Sequence, residues 1–121
     1  MSKRSITEHH DGHGLNESIE IFTDAPDQSG AAHDYNARIG VTRVAAVQFQ
    51  KGPRNVEGSV PGMTEAAVLA ILIDRLRGFQ AGPYSCRENA IQLTKLEEVL
   101  HWTKARADAR AKRGVLGQNV K

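Results

Sequence analysis

At 121 residues, with 16 Lys+Arg against 14 Asp+Glu and 40% hydrophobic residues, the chain is sized for one domain, or one small domain with an appended segment. The near-balance of charge excludes a uniformly cationic protein. One cysteine, Cys86, excludes an intramolecular disulfide and suits a reducing compartment.

The charge is unevenly placed. Residues 1–60 hold six basic and eight acidic groups, and residues 61–121 hold ten and six. An anionic partner is therefore expected at the C-terminal half. A chain this short buries about two-thirds of its unfolded surface, so its core is modest, and self-association is an easy way to bury more. No Cys/His set has the spacing of a closed structural zinc site, and no metal or cofactor is expected. The longest apolar run, Ala66–Ile73, has eight residues, where a membrane span needs about 20. Met1-Ser2-Lys3-Arg4 leads into polar residues rather than an apolar signal region. These features point to an intracellular protein that does not enter a membrane.

In chain order, residues 1–16 are polar, with His9, His10, His13 and two glycines, and read as a flexible arm. Residues 17–58 read as an antiparallel β-region. Ser18–Thr23 is a short β-rich run, and Asp24–Gly30 is dense in turn residues. In 33–39, His33, Tyr35, Ala37 and Ile39 alternate with Asp34, Asn36 and Arg38. Gly40 breaks that run, and Val41–Gln50 is a third strand. Such a meander has open edges that must be covered or paired. Residues 62–121 read as a helical hairpin with a C-terminal tail. In the helix expected over 64–80, Val68, Ile71 or Leu72, Leu76 and Phe79 form one apolar stripe. Ala66, Leu69 and Ile73 form another, so the helix is expected to be covered on two sides. Ala81-Gly82-Pro83 ends it. Ser85 and Glu88 match a capping box that opens a second helix, with a core stripe of Leu93, Leu96, Leu100 and Thr103. That helix is expected to reach about Lys112, with Gly114 just beyond. The short connection makes the pair antiparallel. The fold class is α+β: a small N-terminal meander followed by a long helical hairpin, in an oligomer.

Two clusters carry candidate chemistry. Across the hairpin turn, Phe79 and Gln80 lie near Cys86, Arg87 and Asn89. A helix N-terminus offers unpaired backbone N–H groups and a positive dipole end for a phosphate. Arg87 adds a fork of donors, Phe79 a surface on which a base stacks, and Asn89 both a donor and an acceptor. The alternative is a core Phe79, an Arg87 paired with a surface carboxylate and a solvated Asn89. The second cluster is Lys104, Arg106, Arg110, Lys112 and Arg113. Three of its arginines fall at i, i+4 and i+7 and suit a multiply charged anion. Its alternative is a solvated basic face favoured by the helix dipole. Asn89 and Arg106 are separated by 17 residues, about 25 Å along a helix, so one small ligand touches both only if two subunits share it. Cys86 at a helix start meets one condition for a nucleophile. His101 lies about 22 Å along the same helix, too far to serve as its base within one chain, which leaves His33 or a neighbour's His101, and no catalytic residues are assigned.

The ordered segments Val47–Pro53, Leu69–Leu76, Gly78-Phe79-Gln80, Cys86–Ala90, Leu93–Glu98, Leu100-His101-Trp102 and Arg113–Gly117 resemble the phage Thoeris anti-defence and anti-CBASS cyclic-nucleotide sponge family, which shares a helical hairpin domain. The likeness spans about residues 46–118, and the strands with His33-Asp34-Tyr35 bring it closer to the anti-Thoeris branch. The resemblance implies sequestration without turnover. The signals are glycocyclic ADP-ribose and cyclic di- or tri-nucleotides, held by dimers or hexamers in the cytoplasm of an infected bacterial host. It places Phe79, Asn89 and Arg106 in the signal pocket, with Gln80, Arg87, Arg110 and the Arg113-Gly114-Val115 tail as further candidates. Arg54 and Arg75 are candidates for a second site. The loop Val56–Thr64 and Leu116 depart from the usual pattern, which bears on ligand preference more than on fold. The competing readings are a nucleic-acid-binding module that uses the basic helix end, which predicts a steep loss of affinity with salt, and an oligomeric structural phage protein that binds no small molecule.

Overall fold

The computed structural model describes residues 3–51 and 57–114. The described residues fall in two compact units: 3–51 with 60–62, and 57–59 with 63–114. The first is an antiparallel sheet and the second a helical hairpin, so the α+β class holds.

The sheet runs β1 (Arg4–Ile6), β2 (Glu20–Thr23), β3 (Asp34–Ile39) and β4 (Thr42–Gln48), in that spatial order, with every pair antiparallel. β1 comes from the segment read as a flexible arm. It escapes a local reading because three residues carry no periodicity. What fixes it is long-range pairing of Arg4 with Thr23 and Ile6 with Ile21, which covers the edge of β2. β3 and β4 join through Gly40-Val41, where Gly40 has φ +58°, a conformation open to glycine in a two-residue hairpin. Thr23 is 1% exposed and its hydroxyl donates to Asp34 O at 2.6 Å. Tyr35 meets Phe49 edge-on at 5.7 Å. Residues 60–62 return along the end of β4. Lys51 and Val60 exchange backbone hydrogen bonds, and Gln48 Nε2 donates to Pro61 O at 2.9 Å. Gly62 lies so close that a Cβ there would stand 2.4 Å from Gln48 O.

The loop ahead of β2 is organised by Glu17. Its carboxylate accepts from the backbone N–H groups of Gly12 (2.8 Å), Gly14 (2.6 Å) and Asp11 (2.6 Å). These bonds, Gly12 and Gly14 foremost, hold its pKa down at about 2 against burial, from an ordinary 4.5. His9 Nε2 bonds Ile19 O at 2.7 Å, so this histidine ties the loop to the chain entering β2. Among the described residues no group of three His, Cys, Asp or Glu side chains is placed to hold a metal ion. A folded-state pKa that is lowered contributes stability above pH 4.5 and loses it as the pH falls towards 2. The amide proton shifts of Gly12 and Gly14 are therefore expected to titrate with a midpoint near 2, and Glu17→Gln to abolish that titration. A midpoint near 4.5 would mean that the carboxylate is not held by these donors.

The hairpin consists of α1 (Glu65–Gln80) and α2 (Arg87–Lys112). Thr64 caps α1 by accepting from Ala67 N at 3.1 Å. On α1, Ala66, Leu69, Ile73, Leu76 and Gln80 are the shielded positions of a seam. On α2 they are Asn89, Leu93, Leu96, Leu100, Thr103, Ala107 and Arg110. Both series step by alternating threes and fours, the spacing of helices that pack knobs into holes. Arg77 crosses to Glu97 at 2.7 Å. Gly114 follows α2 with φ +73°, as a C-terminal glycine should. Of the two stripes expected on α1, the one through Ala66, Leu69 and Ile73 faces the seam, with Ala66 and Leu69 partly shielded and Ile73 buried. Ile71 and Leu72 of the other are exposed. Among the described residues Ile73 is the one buried hydrophobic side chain, at 3% exposure. Neither helix is long and apolar enough to cross a membrane.

Candidate functional site

The hairpin turn is built by three side chains. Gln80, the last residue of α1, donates through Nε2 to Cys86 O at 3.1 Å and accepts from Cys86 N through Oε1 at 3.1 Å. This pair of bonds holds Cys86 extended, at φ −155° and ψ 164°. Its thiol is then the group that caps α2, accepting from Asn89 N at 3.4 Å. The cap is thus one residue later than the Ser85-x-x-Glu88 pattern indicates. The Gln80 amide, a candidate ligand group, is thus engaged in closing the turn.

Phe79 and Asn89 flank this turn, both half-shielded. Arg75, one turn back on α1, lays its guanidinium over the Phe79 ring at 4.9 Å. The two residues assigned from sequence to separate sites are therefore one stacked unit, in which Arg75 adds charge to the aromatic surface. Asn89 Oδ1 accepts from Gln92 Nε2 at 3.3 Å. Arg87 is exposed and reaches its neighbour Glu88 at 3.9 Å, a contact of little energetic weight. With the N-terminal N–H groups of α2, these residues make a site that can stack a base or sugar on Phe79, bond it with Asn89 and receive a phosphate at Arg87.

The basic end does not join this site within one chain. α2 is continuous from Arg87 to Lys112, so Asn89 and Arg106 lie at opposite ends, about 25 Å apart. Nor do the three arginines form one solvent-facing stripe. Arg110 is 7% exposed, because position 110 continues the seam through Thr103 and Ala107, while Arg106 and Arg113 are exposed. Gly114 lies just past the helix end. Arg54 and Val115 lie outside the described residues.

Phe79 and Arg106 share a further property. At about 100° per residue, Val68, Leu72, Arg75 and Phe79 share one flank of α1. Ile91, Val99, Trp102 and Arg106 share one flank of α2. Both flanks are apolar and open: Trp102 is 64% exposed, and Leu72, Ile91 and Val99 are also exposed.

The sheet unit holds a second concave surface that the sequence reading did not mark, lined by residues that include Lys3, Phe22, Arg38 and Arg43. The alternation of β3 signals Arg38 and Asn36 on one face, but the approach of Arg43 depends on hairpin register.

The family model "Acb2/Tad1, hairpin domain" matches residues 42–108. A curated protein named Thoeris anti-defense 1, from Bacillus phage SBSphiJ7, is 42% identical over 79 residues, which are 65% of this chain and 55% of that protein. The chain thus spans about half the length of the curated relative it matches.

Proposed function

The chain belongs to the Acb2/Tad1 hairpin family, and from that premise we propose that it is a phage anti-defence protein that binds a cyclic nucleotide immune signal and withholds it without cleaving it. The ligand is glycocyclic ADP-ribose or a cyclic di- or tri-nucleotide, and the place of action is the host cytoplasm.

The observation that carries this reading is the placement of the two half-sites. Phe79 with Arg75 sits on one open apolar flank, and Arg106 on the other, at the far end of α2. Exposed apolar flanks of this kind mark protein contacts. A second copy laid antiparallel on the first covers both flanks and brings the Arg106 end of one hairpin to the Phe79–Asn89 end of the other. Two-fold symmetry then makes two equal shared sites. The name of the phage relative agrees with an anti-defence role. The chemistry of the site agrees with an anionic ligand that carries a base: a stacking ring, an amide and guanidinium groups from two subunits.

Isothermal titration with glycocyclic ADP-ribose and with cyclic di- and tri-nucleotides, followed by heating and recovery of the ligand, tests the proposal. Tight binding of one class with intact ligand released on denaturation is the expected result. Chemically altered ligand would make the protein an enzyme. No binding, together with strong and salt-sensitive binding to DNA or RNA, would make it a nucleic-acid module.

A further inference from the structure

We propose that the β-sheet unit carries a second, independent binding site for a diphosphate group, as borne by a nucleoside diphosphate. A hollow of about 510 Å³ opens on the sheet unit, lined by Lys3, Phe22, Asn36, Ala37, Arg38 and Arg43, with Val41 at its rim. This is a volume typical of small-ligand sites.

Three of its lining side chains are cations, and none is a carboxylate. Their arrangement is costly for an empty sheet. Arg38 and Arg43 are direct cross-strand partners on β3 and β4, where the register shifts between Ala37 and Arg38. Like charges directly opposite one another destabilise a strand pair, and bulges recur where a sheet aims a side chain at a ligand. Arg43 has no ion-pair partner among the described residues. The carboxylates near the other two are loosely held: Glu20 lies 3.7 Å from Arg38 and Asp24 3.9 Å from Lys3, at exposed positions. Such pairs contribute little and yield to a better anion. The Arg38 guanidinium is held over the Phe22 ring at 4.9 Å, which positions it without neutralising it.

An anion bridging the two forks turns the repulsion into a clamp. Two guanidiniums and an ammonium call for more charge than one phosphate monoester carries, which selects a diphosphate. The Phe22 ring offers an apolar surface for the attached sugar or base, and Asn36 supplies a donor and an acceptor beside it. The site uses no residue of the hairpin, so it stands or falls separately from the signal site.

The test is an amide-shift titration of the full chain with ADP, with pyrophosphate and with sulfate. ADP is expected to shift Asn36, Arg38 and Arg43 at micromolar to millimolar concentration, and pyrophosphate to do so more weakly. Arg43→Gln is expected to lower the ADP affinity at least tenfold and Arg43→Glu to abolish it. In both variants the ligand-free melting temperature is expected to stay equal or rise, because the facing charges are relieved. Asn89→Ala is expected to leave the sheet shifts unchanged. Sulfate acting as strongly as ADP, a single-stranded oligonucleotide displacing ADP, or shifts confined to the hairpin would each overturn the proposal. So would an Arg43→Gln variant that loses stability without ligand, because Arg43 would then be structural.

Discussion

Replacing Ile73 by alanine is expected to destabilise the hairpin by about 2–4 kcal/mol, the cost of a buried aliphatic truncated in a site that cannot collapse. Ile73 is the one hydrophobic side chain buried among the described residues, and it sits in the middle of the seam, where neighbours on both helices define its pocket. A small domain has only a few kcal/mol of net stability, so this one truncation should remove most of it. Ile71, two residues away, is 60% exposed, and Ile71→Ala at low protein concentration should change stability by less than about 0.5 kcal/mol. Chemical denaturation followed by helical circular dichroism separates the two. Equal losses for both variants would show that the seam is not the core. At higher concentration Leu72→Ala is expected to weaken self-association, in keeping with the open flank on which Leu72 lies.

The second large effect concerns the shared site. Asn89→Ala and Arg106→Ala are each expected to abolish signal binding in pure form, while leaving the helical spectrum unchanged, because Arg106 is exposed and Asn89, at the end of the seam, is only partly shielded. Mixing the two variants should restore binding. In a mixed dimer one site takes its Asn89 from one copy and its Arg106 from the other, so it is intact, and the opposite site is doubly defective. Random reassortment gives about half mixed dimers, hence roughly a quarter of the sites restored at native affinity. Titration stoichiometry reads this directly. Binding by either pure variant, or no recovery on mixing after subunit exchange, would place both residues outside a site shared across the two-fold.

Much of this architecture was legible in the chain itself. The end of α1 followed from Ala81-Gly82-Pro83 and that of α2 from Gly114, residues whose preferences act locally. β3 was legible because His33 to Ile39 alternates cleanly. β1 was not, since its pairing with β2 spans residues distant in sequence and a three-residue strand has no pattern of its own. The cap of α2 was misplaced by one residue for a similar reason. The Ser85–Glu88 spacing is a sound local signal, but the amide of Gln80 reaches across the turn and fixes Cys86. Of the candidate site, the nearness of Phe79 and Asn89 across the turn was predictable from the short connection. The stacking of Arg75 on Phe79 was available from their i, i+4 spacing but was obscured by assigning them to different ligands. The burial of Arg110 was obscured by its charge: once the threes and fours are counted from Asn89 to Ala107, position 110 falls in the seam whatever residue occupies it.

The unbroken length of α2 makes the protein sensitive to phase. Its 26 residues form a rod of about 39 Å, and the same rod carries the seam contacts and presents Asn89 and Arg106 at its two ends. Inserting one residue between Leu93 and Leu100 advances everything beyond it by about 1.5 Å and turns it by about 100°, which swings Arg106 off its flank and into the seam position that Ala107 holds. Inserting seven keeps every side chain on its face but lengthens the rod by about 10.5 Å. In relatives that keep a shared two-ended site, length changes within this helix should therefore come in heptads, matched by an equal change in the facing helix, or be absent.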